Sequence, residues 1–334
     1  MATYKGIQGY SVQSLASDPS PTASVVGQLW YNSGSNVWKY ASEGDGTWAA
    51  SNPLNTGRHA LGAQTGIQTA ALCMDGRFEG TVNVTELYDG TSWTESADSI
   101  DDLYARGSFG IQTASIAASG ATPPGSVMSN VTESFDGTSW TETSHGVNTA
   151  RRGSCGCGVA TAGLITTGKT DTANTGVTET YNGTAWSEAG DVVTARQETG
   201  AAMASPITAA LIFGGNVPGP ATNQTNSWDG TSWTEVNNLN VAKTQMVGSG
   251  TQTAALAIGG RTSAPGAPGY QATTESWDGT SWTEVGDLAS GRAGGGAAGS
   301  ASAAVTFGGY NLGALDLTEE WNDPVYSIET VTTS

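Results

Sequence analysis

The chain has 334 residues, with 12 Lys and Arg against 30 Asp and Glu, for a formal net charge of −18. That balance repels nucleic acid and anionic membrane, and no apolar run is long enough to span a bilayer. The opening MATYKGIQGYSVQSL lacks the apolar core of a cleavable leader, so a soluble, acidic protein is expected.

Residues 1–26 carry no repeat signal, and Pro19, Ser20, Pro21 and Thr22 read as an extended linker. This arm is expected either to dock into a larger assembly or to be a loosely attached terminus. QLWYNSGSNVWKY (28–40) reads as a hairpin, with Trp30, Tyr31, Trp38 and Tyr40 around a Ser-Gly-Ser-Asn turn. GTWAAS (46–51) then matches the fourth strand of a repeat whose first three strands do not precede it. Full copies follow: VTELYDGTSWTE (84–95), VTESFDGTSWTE (131–142), VTETYNGTAWSE (177–188), QTNSWDGTSWTE (224–235) and TTESWDGTSWTE (273–284). The tryptophans after Gly-Thr, at 48, 93, 140, 186, 233 and 282, fall 45 to 49 residues apart.

Asp-Gly between strand-like runs signals a hairpin. A two-residue turn at Asp278-Gly279 would pair Trp277 with Thr280, Ser276 with Ser281 and Glu275 with Trp282. Trp277 and Trp282 would then share one face, diagonally opposed, with small residues on the other. Between hairpins lie a Gly/Ala-rich segment and an apolar one that often ends in paired glycines, such as GRAGGGAAG (291–299) and SASAAVTFGG (300–309). Each unit therefore holds about four short strands, the content of a propeller blade. LTEEWND (317–323) supplies a third strand with no fourth after it, so the strand at Trp48 is expected beside Trp321, closing the last blade. An alternative seventh blade would join the 28–40 hairpin to PVYSIET (324–330).

The paired glycines and the later tryptophan resemble kelch-like β-propellers over roughly residues 45–323. The GTQTAALA-type and WDGTSWTE-type runs, with the LWYN element, are similar to structural proteins of tailed, particularly marine, bacteriophages. The expected fold is all-β: a six-bladed kelch-like β-propeller closed by an N-terminal strand, with a short N-terminal extension. Residues 1–43 form the arm and hairpin, and 44–334 the propeller. Blades start near 58, 106, 151, 196, 243 and 292.

Each predicted first strand opens with a base: Arg58, Arg106, Arg151, Arg196, Lys243 and Arg292. Each third strand carries Glu86, Glu133, Glu179, Asn226, Glu275 or Glu319. The unit lacking the Glu is followed by the one that starts with Lys. That co-variation within the chain suggests Glu–Arg pairs joining each blade to the next. The competing reading is an arginine ring that binds an anion. The loops between second and third strands vary, and their aromatics Phe78, Tyr270 and Tyr310 are candidates for a glycan or protein contact.

Cys73, Cys155 and Cys157 make no disulfide framework, and Cys-Gly-Cys lacks further ligands nearby, so neither metal nor cofactor is expected. The two histidines, His59 and His145, stand in different units. With no nucleophile context, no catalytic residues are assigned and no enzyme is expected. The resemblance implies a non-enzymatic virion protein of tail, fibre or capsid decoration, made in the host cytoplasm. Its arm would dock to other virion proteins and its loop face would meet a host-surface glycan or protein, without nucleic acid or membrane insertion; a homo-oligomer in the virion is compatible with this. The alternatives are a glycan-binding or glycan-cleaving propeller and an intracellular interaction scaffold.

Overall fold

The computed structural model describes residues 13–20, 25, 27–43, 46–61, 63–80, 82–123, 126–262, 269–322 and 326–331. Their regular structure is all β, in two compact units. Most of the expected docking arm lies outside the described residues.

The smaller unit comprises residues 1–46 and 323–334. Leu29–Asn32 and Val37–Glu43 form the anticipated hairpin, with Leu29 opposite Tyr40 and Asn32 opposite Val37. Tyr326–Thr330 adds to its second strand, and Gln13–Leu15 runs parallel to its first. The pairing considered for a seventh blade is therefore made, but in a sheet whose parallel edge departs from the up-and-down repeat. The larger unit runs from Thr47 to Asn322, narrower than the 44–334 expected, because the C-terminal strand pairs with the hairpin.

Thr47–Asn322 forms six four-stranded antiparallel sheets with a propeller-like repeat. Sheet one holds Ala63–Ile67, Ala70–Met74, Thr85–Tyr88 and Trp93–Glu95. Sheets two to five repeat that order, starting at Gly107, Cys155, Gly200 and Val247. Sheet six takes three strands, Gly296–Gly299, Ala304–Phe307 and Thr318–Asn322, from the end of the repeat. Its fourth is Thr47–Ser51, with Trp321 opposite Trp48.

The hairpin register differs from expectation. Trp277 lies directly opposite Trp282, not diagonal to it, and Ser276 opposite Thr283. The turn is four residues long because the aspartate side chain closes it: the Thr280 and Ser281 amides both donate to Asp278 Oδ1 at 2.7 Å. Asp89, Asp136, Asp229 and Asn182 repeat the arrangement. An Asx side chain that mimics a backbone turn competes successfully with a two-residue turn. The aromatic face survives the change, with the Trp277 and Trp282 rings 5.3 Å apart.

That face meets the neighbouring sheet. Trp93 Nε1 donates to Thr318 Oγ1 at 3.0 Å, so sheet one is bonded to sheet six. Trp140, Trp186, Trp233, Trp282 and Trp48 donate in the same way to Thr85, Thr132, Thr178, Thr225 and Thr274. Each tryptophan after Gly-Thr thus reaches the threonine that starts the third strand of the preceding sheet. A buried indole N–H that lost this acceptor would forfeit its hydrogen bond without regaining water. Thr132→Val keeps the shape and removes the oxygen that accepts from Trp186. It is expected to lower stability by about 1–3 kcal/mol, read as a lower urea midpoint at unchanged slope.

Candidate functional site

The strand that opens each sheet is reached through a short linker, and each linker contains one residue with positive φ. These are Ala60 (49°), Ala105 (53°), Gly153 (64°), Glu198 (58°), Gln245 (55°) and Gly294 (66°). The left-handed conformation turns each amide toward the preceding linker. Ala105 N–H donates to Ala60 O, Gly153 to Ala105, Glu198 to Gly153, Gln245 to Glu198, Gly294 to Gln245, and Ala60 back to Gly294. The bonds measure 2.7–3.0 Å and return to their start.

Two positions in each repeat edge this ring. One directly precedes the left-handed residue: His59, Tyr104, Arg152, Gln197, Thr244 and Ala293. The other follows the repeat's last glycine: Arg77, Ala121, Lys169, Asn216, Arg261 and Tyr310. The two form isolated β-bridges, His59 with Arg77 through to Ala293 with Tyr310. The glycine is required here. Gly76 has φ 121°, and a Cβ on it would lie 2.9 Å from His59 O. The scaffold is thus constant, while its edge carries a different residue in nearly every repeat.

The ring lines a cavity of about 320 Å³. Arg77, Arg152, Arg261, His59, Tyr104, Tyr270 and Tyr310 stand around it. Arg77 lies over the Tyr104 ring, 4.9 Å from its centroid, and Arg152 is 6.0 Å from the same centroid. Tyr310 contacts His59 at 4.9 Å and Tyr270 at 5.9 Å between ring centres. Burial, with the Arg77 charge, holds His59 below its usual pKa. Of the three loop aromatics proposed from sequence, Tyr270 and Tyr310 line the cavity, whereas Phe78 is exposed elsewhere and does not. His59, Tyr104 and the three arginines were missed. Their signal was position: each adjoins a residue that the repeat repeats.

The ion pairs form, but within sheets rather than between them. Arg58 meets Glu86, Arg151 meets Glu179 at 2.6 Å, Lys243 meets Glu275 at 3.3 Å and Arg292 meets Glu319 at 2.8 Å. Asn226 faces Arg196, accepting from its Nη2 at 2.7 Å, so the Asn and Lys substitutions are not in contact as the co-variation suggested. The base follows the preceding sheet with its backbone: Gly168 N–H donates to Arg196 O, and Gly309 to Arg58 O. Its side chain turns the other way, into its own sheet. Arg106 departs further. Leu103 holds the repeat position, two before Ala105, and Arg106 reaches Glu133 (2.9 Å) from three residues later. It also meets Asp75 of sheet one at 3.3 Å, a pair that does cross between sheets.

No family model matches the chain, and no curated protein matches it. The solved structure described as "Structure of YjhT" is similar in fold, with TM-score 0.65 at 12% identity, over 84% of this chain and 99% of that one. The likeness supports the propeller-like architecture and carries no activity across.

Burial with no carboxylate partner pushes Arg196 down to about 10. Asn226→Glu restores the repeat's acid beside it and is expected to raise stability by about 1 kcal/mol, read as a higher urea midpoint; a fall would contradict the pairing. At Asp75, burial outweighs the Arg106 charge and the Ser99 hydroxyl and pushes the carboxyl up to about 7, with Glu133 adding to the rise. A carboxyl raised on folding contributes fully below its unfolded pKa and loses that contribution as pH rises through its folded value. Wild-type stability relative to Asp75→Asn should therefore fall between about pH 4 and about pH 8, by at most about 1.4 kcal/mol per pH unit. Urea unfolding across that range checks it.

Proposed function

We propose that Thr47–Asn322 is a closed six-bladed kelch-like propeller serving as a non-enzymatic binding module of a tailed-bacteriophage virion, in the tail, a fibre or the capsid decoration. The cyclic backbone bonds and the Trp48–Trp321 pairing support closure. The virion setting rests on the resemblance of the repeats and of the LWYN hairpin to phage structural proteins. One observation carries the binding role: scaffold positions repeat, whereas the positions edging the axial ring vary between repeats and converge on one cavity. Such variation on a rigid frame is how binding sites are usually built.

In this reading the N-terminal arm contacts other virion proteins and the cavity face is presented outward, to a host-surface glycan or protein. The clustered aromatics favour a glycan, which keeps the glycan-binding alternative close to the first reading. Mass spectrometry of purified particles, followed by density mapping, is expected to place the chain in the virion with the cavity face exposed. A particle without it, or with that face sealed against another virion protein, would overturn the assignment.

A further inference from the structure

We infer that the axial cavity binds a small carboxylate-bearing ligand, an inference that rests on the binding-module reading above. Ten basic residues lie between 47 and 322. Six are buried against their own sheets, five of them on carboxylates and Arg196 on Asn226. Of the other four, three line this one cavity: Arg77, Arg152 and Arg261. Among the described residues none of those three has a carboxylate partner, in a chain where acids outnumber bases by 30 to 12. Such a surplus of acid makes unpaired arginines gathered in one place a specific feature of the site.

Placing two guanidiniums beside the one Tyr104 ring brings like charges together. Their repulsion is relieved by an anion between them, and a guanidinium's fork of donors matches a carboxylate. Residues lining the cavity hold polar atoms with no hydrogen-bond partner: Arg152 Nε, Ser154 Oγ and His59 Nδ1 are all buried and unbonded. The cavity's acid, Glu198, is engaged by the Thr244 hydroxyl at 3.2 Å. Tyr270, Tyr310 and His59, in ring contact with one another, line the same cavity and supply apolar surface for the ligand's body. The volume, at the low end for ligand sites, suits a small molecule or one terminal unit of a longer chain.

The ligand's source is either a free organic acid or an acidic unit of a surface glycan. Calorimetric titration with glucuronate, with an oligosaccharide ending in glucuronate, with glucose and with inorganic phosphate separates these. Glucuronate should bind at least about tenfold more tightly than glucose, and more weakly as salt rises. Arg77→Gln and Arg261→Gln, both at exposed side chains, should each weaken it about tenfold with unchanged thermal unfolding. Binding of the oligosaccharide supports the glycan source; binding of free glucuronate alone supports the free acid. Equal affinity for glucose, phosphate as tight as glucuronate, or binding indifferent to both substitutions would overturn the inference. Cell adsorption that survives Arg77→Gln and Arg261→Gln would overturn the surface-glycan source, while leaving the binding-module reading intact. Carboxylate binding by a chain absent from particles would do the reverse.

Discussion

The larger unit depends on one backbone event, repeated six times: a linker residue in the left-handed conformation gives its amide to the linker before it. Four of the six are not glycine, so the conformation opposes their intrinsic preference and is held by its surroundings. Those surroundings are specific. On one side the preceding sheet's last glycine donates its amide to the linker's backbone, as Gly309 does to Arg58 O and Gly168 to Arg196 O. On the other, a buried base swings into its own sheet and anchors on a carboxylate, or in sheet four on Asn226. Each linker is therefore tied to two sheets at once, by main chain to the previous one and by side chain to the next.

Buried ion pairs contribute little net stability, because desolvation cancels much of their attraction. Here their value is positional. The acid that takes the arginine also accepts backbone amides of the same linker, as Glu86 does from Asn55 and Glu179 from Asn148. A long cation fixed at both ends sets where its neighbours point, and the next residue along edges the cavity. Sheet-to-sheet adhesion comes instead from apolar packing and the Trp–Thr bonds on the outer strands. The two tasks are separated radially, which leaves the axial edge free to vary without weakening the frame.

That separation frees the rim from structural work. A frame built from repeated contacts tolerates His59, Tyr104, Arg152 and Arg261 at its rim, since these residues join the frame through their backbones and not their side chains. Their convergence concentrates positive charge in a strongly acidic chain. In an acidic chain such a recess differs in charge from the rest of the molecule.

The sequence by itself determined the strands, the six-fold count of tryptophans, the shared aromatic face and the bases and glutamates that pair within each sheet, though not the buried Asp75. It also placed Trp48 beside Trp321. Alternation and repeat spacing are local, and they survive folding because each sheet repeats the same burial pattern. Tertiary structure decided what spacing leaves degenerate. Arg106 lies between Glu86 and Glu133 in the chain, and spacing does not choose between the acid before a base and the acid after it; the direction of the linker does. The four-residue hairpin turn was decided by an Asx side chain, and the displacement from Leu103 to Arg106 by a guanidinium long enough to reach the same carboxylate from a shifted position. The cavity itself joins residues from His59 to Tyr310, which come together because the hydrogen-bonded ring brings successive linkers to one centre.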